Sequence, residues 1–229
     1  MKVGVVIFPG SNCDHDMIYI WQEILKQEVV SLWHKDTDLK DCQLIILPGG
    51  FSYGDYLRSG AIARFSPIME NVINFANKGG YLFGVCNGFQ VLTESKLLEG
   101  ALLANNNQKF ICKNQLISVQ TNNTIFTKDA TIHKPINVPI AHGEGRFYAD
   151  ENTIESLKKN DQILFRYCNE KGEATKESNP NGSIENIAGI CNKNRNVFGM
   201  MPHPERSSDK ELYSTDGIIL FQSLINNIK

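Results

Sequence analysis

Across the first hundred residues, short apolar runs bounded by Gly or Pro alternate with longer amphipathic stretches, and this alternation restricts the fold more than any other feature of the chain. Val3–Phe8, Val29–Trp33, Leu44–Leu47 and Tyr81–Val85 have strand length, and apolar runs of that kind belong to strands covered on both faces. Between them, Asp14–Lys26 places Met17, Ile18, Ile20, Trp21, Ile24 and Leu25 at helical spacing behind a start signal at Ser11–Asp14. Met69–Asn77 lies in a second predicted helix, ended by Gly79-Gly80. Strands alternating with helices predict βαβ units and a parallel sheet.

From Lys109 the rhythm becomes β-rich, with predicted strands at Phe110–Val119, Ile136–Ile140, Ile163–Tyr167, Ile187–Cys191 and Val197–Met201. Asn105-Asn106-Asn107 and Asn192-Lys193-Asn194 read as turns between them, and the polar stretch Glu170–Ser183 reads as a surface loop. The tail Thr215–Ile228 returns to helical spacing through Ile218, Ile219, Phe221, Leu224 and Ile225. There is neither a repeat nor a linker, so the expectation is one three-layer α/β domain over residues 1–229: a mostly parallel central sheet with a β-rich C-terminal excursion.

Charge and cysteine content remove several classes of function. The chain has 23 basic and 25 acidic side chains, net −2, with no basic block, which argues against a nucleic-acid partner. The apolar N-terminus is broken by Pro9 and is too short for a secretion signal or a membrane span, so the reading is a cytoplasmic protein with no membrane partner. The six cysteines form no Cys-x-x-Cys pair, and no metal site is expected.

Three short segments carry chemistry. Gly84-Val85-Cys86-Asn87-Gly88 follows a strand and opens a helix, a frame that lifts a nucleophile onto a sharp turn with small residues on either side. A thiol aimed at a helix N-terminus is favoured as thiolate, the attacking species. Alone, the frame also fits a buried structural cysteine. Pro202-His203-Pro204-Glu205 follows the strand Val197–Met201, and alternation along extended chain lets Glu205 sit beside the His203 imidazole and fix its tautomer. Alone, this too fits a surface turn. Pro48-Gly49-Gly50 follows the strand Leu44–Leu47, where backbone N–H groups, together with that of Asn87, can face a developing oxyanion. The loop lacks phosphate-loop spacing, so any ATP would bind on another chain.

Elbow cysteine, His-Pro-Glu and Pro-Gly-Gly in this setting resemble the class I, triad-type glutamine amidotransferases, and the resemblance covers the whole chain. The segments Phe8-Pro-Gly-Ser-Asn-Cys-Asp14, Pro48-Gly-Gly-Phe-Ser-Tyr-Gly-Asp-Tyr-Leu-Arg58, Ala141-His-Gly-Glu-Gly-Arg-Phe147 and Pro202-His-Pro-Glu-Arg206 look most like the glutaminase subunits that serve the formylglycinamide ribonucleotide amidating synthetase of purine synthesis. The resemblance implies a flavodoxin-like fold and hydrolysis of L-glutamine to glutamate and ammonia by Cys86, His203 and Glu205. It implies oxyanion and substrate contacts from Gly49, Gly50, Asn87 and Gln90. It also implies ammonia delivery to a large synthetase subunit that holds ATP and Mg²⁺, a small accessory subunit, no cofactor on this chain, and slow turnover of the chain alone. For His142, a structural role and a substrate contact both stay open. Three alternatives differ in class: a glutaminase serving another amidotransferase, a Cys-elbow hydrolase or chaperone of the intracellular-protease superfamily, and a catalytically silent regulatory module. The intracellular-protease type carries a histidine directly after its cysteine, where this chain has Asn87.

Overall fold

In the computed structural model, which describes residues 1–228, the elements follow in the order β1 (Lys2–Ile7), α1 (Asp14–Tyr19), β2 (Glu28–Trp33), β3 (Leu44–Leu47), α2 (Pro67–Asn77), β4 (Tyr81–Val85), α3 (Asn87–Glu94), β5 (Ala101–Leu103), β6 (Ile111–Val119), β7 (Pro135–His142), β8 (Arg146–Tyr148), α4 (Glu151–Lys159), β9 (Ile163–Tyr167), β10 (Ile187–Cys191), β11 (Val197–Met200) and α5 (Ile218–Asn227). Among the described residues, nine strands form one sheet in the order β2-β1-β3-β4-β11-β10-β9-β6-β7, and β5 pairs with β8 in a small ribbon. The first five strands of that order are mutually parallel. The other four continue the same sheet in antiparallel fashion, so the β-rich part of the sequence extends the parallel half instead of packing as a second sheet.

Successive residues of a strand face opposite sides of the sheet, and β4 shows what covers each. Phe83 packs against Phe126 and Phe221, and Phe221 meets Trp21 edge-on at 5.3 Å, so α5 and the helical turn that continues α1 lie on that face. Gly84 turns to α3 on the other, where a Cβ would lie 2.6 Å from Leu92 and 2.7 Å from the backbone of Gly88. Apart from Tyr81 at the start of β4, the strands of this middle region are buried, as their apolar composition requires. At the antiparallel edge, β7 alternates strictly, burying Ile136, Val138, Ile140 and His142. His142 is therefore the last inward position of that strand.

The topology brings distant motifs together. β3, β4 and β11 are adjacent and parallel, so their carboxyl ends, carrying Gly49-Gly50, Cys86 and His203, emerge side by side. The amide of Cys86 donates to the carbonyl of Met200 at 2.8 Å, which joins two segments more than a hundred residues apart in the chain.

Three expectations need correction. The helix read over Asp14–Lys26 is α-helical only to Tyr19; Ile20–Ile24 widens to π winding, with Leu25 N–H bonded to the Ile20 carbonyl, and Lys26 ends it at a φ of +53°. The loop Glu170–Ser183 is not all surface, because Asn181 and Ser183 are buried: Asn181 Nδ2 donates to the Gly145 carbonyl at 2.8 Å and Ser183 Oγ accepts from Phe147 N–H at 3.0 Å. The chain expected to stay extended from Pro202 to Glu205 instead turns, with Pro204–Ser207 in a short 3-10 helix, because Pro204 at the first position of that turn presets its φ.

Candidate active site

Cys86 stands between β4 and α3 at φ +50° and ψ −106°, a combination that L-residues avoid and that persists only where surrounding structure enforces it. Here Gly88 enforces it: a Cβ at that position would lie 1.9 Å from the Leu47 carbonyl oxygen, so only glycine lets the first turn of α3 sit this close to β3. The Cys86 side chain enters a cavity of about 220 Å³ lined also by Gly50, Asp55, Gln90, His142 and Glu144. Its sulfur lies 3.7 Å from the Ala141 carbonyl.

His203 and Glu205 are both buried, and the His203 Nδ1–Glu205 Oε1 contact is 2.5 Å. Burial works against the imidazolium, but the Glu205 carboxylate and the neighbouring Cys86 outweigh it and raise His203 to about 10. Nε2 of His203 has no hydrogen-bond partner among the described residues, which leaves it free to exchange a proton. A second cavity of about 230 Å³ holds His203 with Cys13 and Arg206, and it shares Gly50, Phe51, Phe110 and Ala141 with the cavity of Cys86. Phe51 and Phe110, both partly exposed, thus stand between the two.

The Gly49-Gly50 segment packs tightly between His203 and the chain after β1. A Cβ on Gly49 would meet His203 Cε1 at 2.7 Å, and Gly50, at φ +128°, would bring one within 2.6 Å of the Asn12 amide nitrogen. Asn87 and Gln90 form a chain across the floor. Asn87 Oδ1 accepts from Ser52 N–H at 3.2 Å, Asn87 Nδ2 donates to Gln90 Oε1 at 2.9 Å, and Gln90 Nε2 donates to the Glu144 carbonyl at 2.6 Å. Both ends of the Gln90 amide are therefore engaged within the protein, tying α3 to the segment that follows β7.

His142, left open by sequence, finds its place, and so does Cys13. Asn105 Nδ2 donates to the carbonyls of Lys109 and His142, both at 2.8 Å, so Asn105 Oδ1 is the atom 3.1 Å from His142 Nδ1. His142 Nδ1 accordingly carries the proton, and its Nε2 is a buried lone pair without a partner among the described residues. Burial, with the charge of His203 behind it, lowers His142 to about 4 and keeps it neutral. Cys13 lines the His203 cavity, where burial and then the Glu205 charge push its thiol up to about 12. A guanidinium nitrogen of Arg206 is 3.0 Å from the Cys13 sulfur, and Arg206 Nε donates to Asp16 at 3.0 Å, so Arg206 is an anchored part of the site. Cys13, His203 and Glu205 offer ligand atoms within 4.8 Å of one another, but the guanidinium already lies on the sulfur and the imidazole already holds the carboxylate.

Sequence reasoning gave no role to Asp55, Glu144 or Asn105. Asp55 and Glu144 stand inside quoted motifs, while Asn105 sits in an Asn-rich turn like any other. Asp55 is raised to about 6 by burial, with the Glu144 charge adding and hydrogen bonds from Ser59 and Asn87 opposing.

Residues 1–216 match the CobB/CobQ-like glutamine amidotransferase domain. The chain is 56% identical over 225 residues to the phosphoribosylformylglycinamidine synthase subunit PurQ of Koribacter versatilis (strain Ellin345), covering 98% of this chain and 97% of that protein. It is 57% identical over 228 residues to the subunit of the same name from Chlorobaculum parvum (strain DSM 263 / NCIMB 8327), covering 100% and 90%. Among solved structures, a chain in the structure of PurLQS from Thermotoga maritima superposes with a TM-score of 0.87 at 42% identity, over 100% of this chain and 99% of that one.

Proposed function

Because this chain belongs to the CobB/CobQ-like glutamine amidotransferase family, we propose that the Cys86 cavity is where glutamine is hydrolysed. The chain is the glutaminase subunit of phosphoribosylformylglycinamidine synthase in purine biosynthesis and works with a synthetase subunit. The observation that carries the site assignment is the pairing of a strained, cavity-facing Cys86 with a buried His203–Glu205 pair brought alongside it by neighbouring strands.

The chemistry follows from that pairing. The Cys86 thiolate attacks the side-chain amide carbon, and the tetrahedral oxyanion is met by backbone N–H groups of the Gly49-Gly50 segment and Asn87, with Gln90 holding the wall that faces the substrate. His203, protonated at rest and held at Nδ1 by Glu205, gives its proton to the departing nitrogen, and ammonia leaves. The same Nε2 then takes a proton from water, the hydroxide attacks the glutamyl thioester, and glutamate and the free thiolate are restored. This subunit carries no cofactor, and ATP and Mg²⁺ act on the synthetase, which receives the ammonia. A small accessory subunit completes the assembly. The setting is cytoplasmic; among the described residues no helix is long and apolar enough to cross a membrane.

The test is Cys86→Ala in the complex reconstituted with the synthetase. Glutamine-dependent synthesis is abolished while ammonia-dependent synthesis persists; loss of both would make Cys86 structural.

A further inference from the structure

Two side chains lining the Cys86 cavity are carboxylates, Asp55 and Glu144, and none is Lys or Arg. His142 belongs to the same lining and contributes a third acceptor, since its buried Nε2 lone pair is unpartnered among the described residues. Thiol attack on an amide calls for hydrogen-bond donors around the new oxyanion, and negative charge beside the sulfur opposes the thiolate it needs. These acceptors therefore answer a different part of the substrate. Glutamine carries one cation, its α-ammonium, with three N–H donors.

The carboxylates are held in place by different elements. Asp55 Oδ1 accepts from Asn87 Nδ2 at 3.3 Å, on the loop after β3, and Glu144 Oε2 accepts from Ser59 N–H at 3.3 Å, on the segment after β7. A carboxylate has about four lone-pair sites, so each keeps capacity for a ligand. We infer that Asp55 and Glu144 form the subsite for the substrate α-ammonium, a role that rests on the glutaminase reading above. The ammonium relieves the repulsion between the two carboxylates, which adds to the burial that raises Asp55. The subsite then selects an amino acid amide over a plain carboxamide.

The experiment compares glutamine with glutaramate, which is glutamine with hydrogen in place of the α-amino group, by ammonia release from the complex reconstituted with the synthetase. The wild-type complex prefers glutamine by roughly a hundredfold or more in kcat/KM, as expected when buried charge pairs are left unmatched. In Asp55→Asn and Glu144→Gln this preference falls at least roughly tenfold, through a higher KM for glutamine, while the kinetics with glutaramate move little. Loss of packing alone would slow both substrates together and leave the ratio intact. A wild-type ratio near one overturns the subsite without recourse to variants, and so does an undiminished ratio in both variants. Failure of the wild-type complex to release ammonia from glutamine would instead overturn the glutaminase reading, and the subsite with it.

Discussion

The turn that carries Cys86 and the loop Ser52–Ser59 face the same cavity, yet they are built in opposite ways. The elbow is buried, bounded by Gly84 and Gly88, and set by contacts that leave no room for a side chain. The loop places Tyr53, Asp55 and Leu57 at positive φ, with Tyr56 largely and Leu57 almost fully exposed to solvent. One strained residue locked by dense packing holds a reacting atom where it must be. The loop is pinned by buried Ser52 and Ser59 and by the Tyr53 hydroxyl, which meets His34 and Ser66, so only its tip at Tyr56 and Leu57, with little packed against it, can adjust when substrate or the synthetase arrives. The nucleophile is thus the fixed part of this site, and the loop tip beyond the anchored Asp55 its adjustable part.

The sharpest way to break that contrast is to give the elbow a methyl group. Gly88→Ala forces a Cβ against the Leu47 backbone, and glutaminase activity is expected to fall more than roughly a thousandfold, with stability down by about 3 kcal/mol in chemical denaturation. Glu205→Gln leaves the elbow intact but removes the carboxylate that raises His203. The rate should drop roughly a hundred- to ten-thousandfold, and the imidazole, followed by NMR titration, should lose its proton at lower pH than in the wild type. Acidification addresses the other wall. Asp55 is raised to about 6, so its charge is present above that pH and lost below it, while His203 stays protonated throughout that range. KM for glutamine should therefore climb as pH falls through about 6, approaching roughly tenfold per pH unit, and glutaramate should show no such climb. The smallest effect is expected on the loop backbone. Leu57→Gly places glycine at a φ of +71° and should raise stability by about 0.5–1 kcal/mol, since an L side chain there costs more than the added freedom of glycine.

What could be read from sequence divides along the same line. The parallel half was legible because each of its central strands is an uninterrupted apolar run, and the elbow was legible because close approach of backbones demands glycines at fixed spacing. The His203–Glu205 pairing was legible from the spacing, but its geometry was not: Pro204–Ser207 winds as a 3-10 turn instead of running extended, and that turn places the two groups 2.5 Å apart. The π winding after Tyr19 was hidden, since an inserted residue leaves the apolar spacing nearly unchanged. Helix α4 carried its signals, an Asp150 cap accepting from Thr153 N–H and buried Ile154 and Leu157, but it lies in a stretch whose strand pattern dominated. Asn105, Asn181 and Asp55 were illegible as site residues because a buried polar side chain in a loop has the same local sequence as an exposed one. Their burial depends on partners such as His142 and Gly145, which only the fold supplies.

The central claim is that one thiol, Cys86, receives the glutamine side chain. It is tested most directly by treating the reconstituted complex with a diazo-ketone analogue of glutamine and mapping the adduct by mass spectrometry. The account predicts a single modification on Cys86, prevented by excess glutamine. Modification of Cys13 instead, or labelling of Cys86 that glutamine does not prevent, would contradict it.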